Sequence, residues 1–269
     1  MLQPYFLKAD HGQLFIQAFT PEKKAVEAVI FIPPFAEEMN KSRRMIALLG
    51  YGLASKGMLM VVPDLFGTGD SEGGFSQARW SIWMENLEQL RKKLISEGIT
   101  RIHLVGLRMG CLLIDSFLSV PRDAVEKIIF WKPVLSGKQM VNQFLRLRVA
   151  NSMMDGRKET TQVLRSLLST EGILEVAGYS LNKALISALD EKTLGLDMLE
   201  HCSKAYWFDI SSMENQPLGV AVAKFLDGAE QRGYIISQQT IMGENFWVNQ
   251  EITEVPKLIS VTCNALFQE

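Results

Sequence analysis

The sequence predicts an α/β protein in which a mostly parallel central sheet is flanked by helices and interrupted by a helical insertion. Three observations predict it. Short apolar, β-rich runs alternate with longer amphipathic stretches, the pattern of strands joined by crossover helices. The run His103-Leu104-Val105-Gly106-Leu107-Arg108-Met109-Gly110-Cys111 passes from a strand directly into a helix, with a glycine on either side of its central residues. A third segment, Val62 to Gly73, closes a strand with a glycine-rich loop (Asp64-Leu65-Phe66-Gly67-Thr68-Gly69-Asp70-Ser71-Glu72-Gly73).

The strands are expected at Leu14–Phe19, Ala28–Ile32, Met58–Val62, Ile102–Leu107, Lys127–Trp131, Tyr206–Asp209 and Tyr234–Thr240. Several are apolar at every position, as a strand covered on both faces must be. Between them, Lys41–Ser55, Ser76–Ser96, Met109–Ser119, Gln216–Gly233 and Glu251–Leu266 carry apolar residues at helical spacing. Leu87, Leu90 and Leu94 form one such stripe, with Glu88, Arg91 and Lys92 off it, and the stripe reads as core. The segment 134–204 breaks the alternation. It reads as helices throughout, with pieces at Val141–Met154, Glu159–Leu168 and Leu181–Leu189, and is expected to lie over the strand ends as a cap on a core of residues 1–133 and 205–269.

Composition narrows the function classes. At 269 residues, 47% hydrophobic and 22% charged, the chain matches an ordinary globular protein that buries a sizeable core. A net charge of −2 with interspersed signs supplies no basic field for phosphate backbones or anionic lipid. The expected partner is a small molecule or a protein, not nucleic acid. Cys111, Cys202 and Cys263 are widely separated and lack C-x-x-C spacing, which points to reduced thiols and not to a disulfide framework or thiolate metal site. The start MLQPYFLKADHGQLF has no basic-then-apolar leader, and no stretch approaches the roughly 20 apolar residues of a membrane span. A cytoplasmic location, no membrane insertion, no metal and no cofactor are the expectations.

The strand-to-helix run around Arg108 has the frame of G-x-S-x-G, the nucleophile elbow, and so resembles the α/β-hydrolases. The Asp64–Gly73 loop and Ile32-Pro33-Pro34-Phe35-Ala36 fall where those proteins carry two further signatures, and the insertion then follows the sixth strand of the fold. The resemblance implies oxyanion donors on the backbone of Met109 and of Phe35 or Ala36. It also puts Arg108 in the place of the nucleophile. An arginine stays protonated and offers donors only, so it neither attacks a carbonyl nor accepts a proton. The loop that supplies the general-base histidine reads Met242-Gly243-Glu244-Asn245-Phe246-Trp247 and contains none. The three histidines, His11, His103 and His201, sit in an early turn, inside the elbow strand and at the end of the insertion. Asp209 falls near the place of a triad acid but has no histidine to orient, so it reads as a loop-capping acid. Conventional serine-hydrolase chemistry is not expected.

A cation at a helix N-terminus faces the positive end of the macrodipole and needs an anion beside it. Two roles for Arg108 stay open: an internal ion pair with Glu37, Glu38, Asp64 or Asp70, or a bidentate grip on a ligand carboxylate or phosphate. Arg43 and Arg44 read as a solvated helix face. Arg146 and Arg148, two apart, lie on different faces of one helix. Trp80, Trp83 and Trp131 read as packing. Ser71 and Cys111 are the nearby nucleophile types, the first expected to cap a loop and the second to point into helix–sheet packing.

Pro33-Pro34-Phe35-Ala36-Glu37-Glu38-Met39-Asn40-Lys41-Ser42-Arg43-Arg44-Met45, Gly106-Leu107-Arg108-Met109-Gly110, Trp131 to Gly137, Gln143 to Arg148, and Phe246-Trp247 before Gln250-Glu251-Ile252 together resemble the exosortase-A-system-associated hydrolases of type 2. That resemblance spans nearly the whole chain. It implies a bacterial protein encoded with exopolysaccharide production and with sorting of proteins that bear a short C-terminal tail; it supplies neither substrate nor catalytic residues. The expected ligand contacts are Arg108, Met109, Phe35, Ala36 and Asn245, around an anionic or acyl small molecule. The alternatives are an atypical hydrolase or acyltransferase working on an ester or thioester with Glu37 or Glu38 as base and Arg108 polarising the carbonyl, and a scaffold in the exopolysaccharide machinery.

Overall fold

A computed structural model describes residues 1–154, 158–214 and 216–268. Among the described residues its main sheet has eight strands: β1 (Tyr5–Ala9), β2 (Gly12–Phe19), β3 (Glu27–Ile32), β4 (Leu59–Pro63), β5 (Arg101–Leu107), β6 (Val125–Trp131), β9 (Lys204–Ser211) and β10 (Ile236–Met242). They lie in the order β1-β2-β4-β3-β5-β6-β9-β10. The first two pairings, β1 with β2 and β2 with β4, are antiparallel; every pairing from β4 to β10 is parallel.

Side chains alternate across the sheet, and β3 shows what that does. Ala28, Ile30 and Ile32 enter one apolar layer while Val29 and Phe31 enter the other. The first layer takes the Leu87–Leu90–Leu94 stripe of α2 (Trp80–Ser96) and the apolar face of α3 (Met109–Phe117). The second takes Met45, Ile46, Leu49 and Leu53 of α1 (Glu37–Ser55) with Leu258, Cys263 and Leu266 of α8 (Pro256–Phe267). A strand covered on both faces has no polar side, which is why these strands read as unbroken apolar runs.

Parallel register brings the functional rim together. Ile32 pairs with Gly106, Leu107 with Trp131, and Trp131 with Phe208. The ends of β3, β5 and β6 therefore lie at about one level, while β9 runs three residues further to Ser211, and the residues just past β3, β5 and β6 share one edge.

The segment between β6 and β9 holds α4 (Gly137–Met154), α5 (Thr161–Glu171), β7 (Ile173–Val176), β8 (Tyr179–Asn182), α6 (Lys183–Asp190) and a 3-10 turn at Asp197–His201. It is not helical throughout, as its sequence suggests: β7 and β8 pair antiparallel with each other and not with the main sheet. Ala177 and Gly178 form their two-residue loop with φ of 50° and 82°, the sign a tight hairpin requires at both positions. Residues 155–157, within the insertion as read from sequence, lie outside the described residues. Contacts run from α4 to α3 and from β8 to the 3-10 turn Phe75–Gln77 after β4, so the segment sits over the strand ends. The helix expected at Gln216–Gly233 is α7 (Val220–Gln231), and no described helix is long and apolar enough to cross a membrane.

Candidate functional site

Two neighbouring strands end in the same unusual turn. Arg108, between β5 and α3, has φ 54° and ψ −113°; Ala36, between β3 and α1, has φ 51° and ψ −121°. Both lie where residues bearing a Cβ are strained by about 1–3 kcal/mol. The glycines around Arg108 make its turn possible. A Cβ on Gly110 would stand 2.2 Å from the Ile32 carbonyl oxygen, and one on Gly106 would stand 2.8 Å from the Gly110 carbonyl carbon. The Arg108 backbone N–H donates to the Trp131 carbonyl at 3.0 Å, which ties the turn to β6.

The Arg108 side chain does not project into open space. Its Nε donates to Glu38 Oε1 at 3.2 Å and its Nη2 to Gln143 Oε1 at 3.2 Å. The guanidinium lies 5.6 Å from the centroid of the Trp247 ring. Arginine and glutamate side chains are 14% and 18% exposed, so the pair is mostly buried. Glu38 Oε2 is buried with no hydrogen-bond partner among the described residues. Burial pushes the Glu38 carboxyl above its ordinary range, outweighing the opposing pull of Arg108 and Lys41. A cavity of about 160 Å³ adjoins the pair, walled by Phe35, Met140, Phe144, Leu147 and Trp247. That volume is below the few hundred Å³ of a typical small-molecule site.

The other acids of the rim go elsewhere. Glu37 accepts from the Tyr179 hydroxyl at 3.4 Å, and that hydroxyl accepts from Asn40 Nδ2 at 3.0 Å, linking β8 to α1. Asp64, 1% exposed, accepts the Asp70 N–H at 2.9 Å and faces Arg43 Nη2 at 3.2 Å. Asp70 itself is exposed.

A larger cavity of about 690 Å³ lies on the far side of Phe35. Phe35, Ala36 and Met109, three of the four backbone and wall positions expected around a ligand besides Arg108, line it, together with Met39, Arg43, Phe75, Trp83 and Tyr179. Phe35, Phe75, Phe144 and Tyr179 meet ring edge to ring face, with centroids 5.2–6.1 Å apart. This cluster partitions the two cavities and joins the insertion to the strand-end loops.

Structures similar to this one include Est1E from Butyrivibrio proteoclasticus with ferulic acid bound, 16% identical over 97% of each chain with a TM-score of 0.67. A putative hydrolase from Agrobacterium vitis S4 is 13% identical over 99% of this chain and 98% of its own, TM-score 0.62. An alpha-beta serine hydrolase homologue from Coxiella burnetii is 14% identical over 98% and 97%, TM-score 0.58. The chain has the α/β-hydrolase fold. No family model and no curated protein matches it in sequence.

Within the α/β-hydrolase fold, Arg108 stands at the elbow with the elbow's backbone conformation. Asn245 departs from expectation: it is exposed and lines neither cavity, while Trp247, two residues on, closes over Arg108. Asp209 accepts no loop backbone N–H among the described residues. It is buried in β9 and forms an ion pair with Lys132, whose φ of 43° ends β6 in a third strained residue. His11 contacts Glu85 at 2.8 Å, and His103 contacts Glu27 at 3.2 Å near the opposite end of the sheet. Burial holds the His103 imidazole below its ordinary range, against the pull of Glu27. Cys111 is buried, with Sγ 3.1 Å from the Gly106 carbonyl, and burial pushes its thiol far up. Ser71 is tied into the Asp64 loop, donating to the Asp64 carbonyl and accepting the Phe15 N–H at 2.8 Å.

Of the remaining arginines, Arg44 pairs with Glu254 at 2.7 Å, Arg148 forks onto Glu159 at 2.7 and 3.0 Å, and Arg146 is exposed. Trp131 is fully buried, with its indole N–H on Thr262, whereas Trp83 lines the larger cavity. Sequence reasoning missed Gln143, Trp247, Lys132 and Tyr179. Trp247 had a signal, as a bulky aromatic in the loop that would carry the histidine; the others depend on tertiary packing alone.

Proposed function

We propose that this protein has given up serine-hydrolase chemistry and instead binds an acyl-bearing or anionic small molecule in the capped cleft at the strand ends, with residues 134–204 as the cap. One observation carries the reading. The elbow keeps its strained backbone but presents an arginine whose donors are engaged by Glu38 and Gln143. No described histidine makes a contact with that pair. The resemblance of several segments to exosortase-A-system-associated hydrolases of type 2 supports a bacterial role alongside exopolysaccharide production, and the reduced-thiol pattern of the cysteines supports a cytoplasmic one. The test is a fluorophosphonate probe on purified protein: no residue is labelled, and stoichiometric labelling of any serine would overturn the reading.

A second reading is favoured by Glu38. Its unpartnered Oε2 and raised pKa are the attributes of a carboxylate general base. In that reading Glu38 takes a proton from water, the hydroxide adds to a carbonyl polarised by Arg108, and the departing alcohol or thiol recovers the proton. Turnover of an ester or thioester panel that disappears in both Glu38→Gln and Arg108→Met would establish it over the first.

A further inference from the structure

The two arginines of the rim differ in what their donors have left to do. Arg108 has Nε on Glu38, Nη2 on Gln143 and its face on Trp247, which leaves Nη1 alone without a hydrogen bond among the described residues. Arg43 reaches Asp64 through Nη2 alone, at 3.2 and 3.4 Å, and its Nε and Nη1 make no hydrogen bond among the described residues. It is also the one cation among the described residues lining the larger cavity.

Asp64 anchors Arg43 from behind. It is 1% exposed, it accepts the Asp70 N–H, and its loop is fixed by Gly69, where a Cβ would fall 1.9 Å from Asp64 Oδ2. A guanidinium held at one nitrogen by a buried carboxylate keeps its orientation while offering its remaining N–H groups. That is pre-organisation for a planar anion, because the rotamer entropy is lost on folding and not on binding. The rest of the wall is mixed: Phe35, Phe75, Trp83, Met39 and Met109 give it an apolar and aromatic side, while Gln17, Asn40, Thr68 and the exposed acid Asp70 give it a polar one. At about 690 Å³ the space falls within the range that encloses a drug-sized ligand.

We infer that the larger cavity binds an aryl or acyl monocarboxylate, its carboxylate on Arg43 and its apolar body among Phe35, Phe75 and Trp83. The inference rests on the ligand-binding reading above and names both the site and the ligand class. Arg43, and not the elbow arginine, is the anion receptor.

The methionines report the location. Met39 and Met109 line the larger cavity and Met140 lines the smaller. The experiment titrates 2-naphthoate and octanoate, each beside its neutral primary amide, into full-length protein carrying ¹³C-methyl methionine. At least one acid is expected to shift the Met39 and Met109 methyls and leave Met140 in place, with its amide at least 10-fold weaker, as the loss of a charge-assisted bond implies. Arg43→Gln is expected to weaken the acid at least 10-fold, and Arg108→Met to leave it within 2-fold. Arg43→Gln also unpairs Asp64, so the acid–amide comparison in unaltered protein stands as the independent readout.

Equal affinity of acid and amide, or no shift at Met39 and Met109 with either acid, overturns the proposal. An acid that shifts Met140 and depends on Arg108 overturns the Arg43 site while leaving the ligand-binding reading intact. Fluorophosphonate labelling of a serine defeats that broader reading separately.

Discussion

Replacing Arg108 by methionine keeps an unbranched apolar stem and removes every donor together with the guanidinium that lies over Trp247. Glu38 then remains in its buried place with Oε1 newly unpaired beside an Oε2 that has no partner already. Removing one member of a buried pair costs about 3–5 kcal/mol. Side-chain exposures of 14% and 18% place this pair at the lower end, about 3 kcal/mol. In a chain of this size that corresponds to a fall in Tm of about 6 °C. The pH dependence carries the sign. Burial already holds the folded Glu38 carboxyl above the ordinary glutamate range, so its contribution is most favourable below that range and is lost as pH rises through the folded pKa. Without Arg108 the folded pKa climbs further, because the charge and the hydrogen bond of the guanidinium no longer favour the carboxylate. Urea unfolding at pH 7.5 and pH 5 should therefore show the largest deficit at pH 7.5 and a smaller one at pH 5. Adding Glu38→Gln should recover most of the loss, since no buried charge remains. A deficit under 1 kcal/mol at pH 7.5, a deficit that grows on acidification, or no recovery in the double variant would refute the account of the pair.

Gly110→Ala forces a Cβ to 2.2 Å from a backbone carbonyl that cannot swing aside, and should destabilise by about 3 kcal/mol in the same assay. Gly228→Ala, inside α7 with its new Cβ 3.5 Å from Leu196, should instead stabilise by about 0.5–1 kcal/mol. Lys127→Met removes the ammonium that donates to the carbonyls of Ala265, Leu266 and Gln268 at the end of α8; amide hydrogen exchange over Cys263–Phe267 should accelerate at least 10-fold, with a global loss of about 1–3 kcal/mol.

Elements covered on both faces, such as β3 and β5, are legible in sequence because nothing polar interrupts them. β1 is not, because its edge position buries only part of alternate residues, and Tyr5–Ala9 carries no unbroken apolar run. The start of α1 is missed by four residues, Glu37 observed against Lys41 expected, because the helix is entered through Ala36 at φ 51° without a side-chain cap. The β7–β8 hairpin hides behind Ala177-Gly178, a loop with the right backbone but without the asparagine or aspartate that signals it. At the site, G-x-R-x-G marks the elbow and the charge on it. It does not say which of four acids answers that charge, since Glu37, Glu38, Asp64 and Asp70 all sit on strand-end loops and only packing separates them. Arg43 reads as a solvated helix face in the sequence because the cavity it lines is assembled from seven separate stretches of chain.

The pairing of Arg108 with Glu38 follows from how the two helices begin. Glu38 lies in the first turn of α1, where a negative charge is favoured by the macrodipole, and Arg108 immediately precedes α3, where a positive one is disfavoured by about 0.3–1 kcal/mol. Each is entered through a strained residue at the end of adjacent parallel strands, which brings the two N-termini to one rim. The acid thus offsets at α3 what the arginine costs there. A serine at position 108 would face a carboxylate with no cation to answer it, in a pocket closed by Trp247 and with no histidine in the loop from Gly243 to Trp247. Arginine, glutamate and tryptophan therefore form one unit, and a serine placed alone at position 108 would leave the Glu38 charge unanswered.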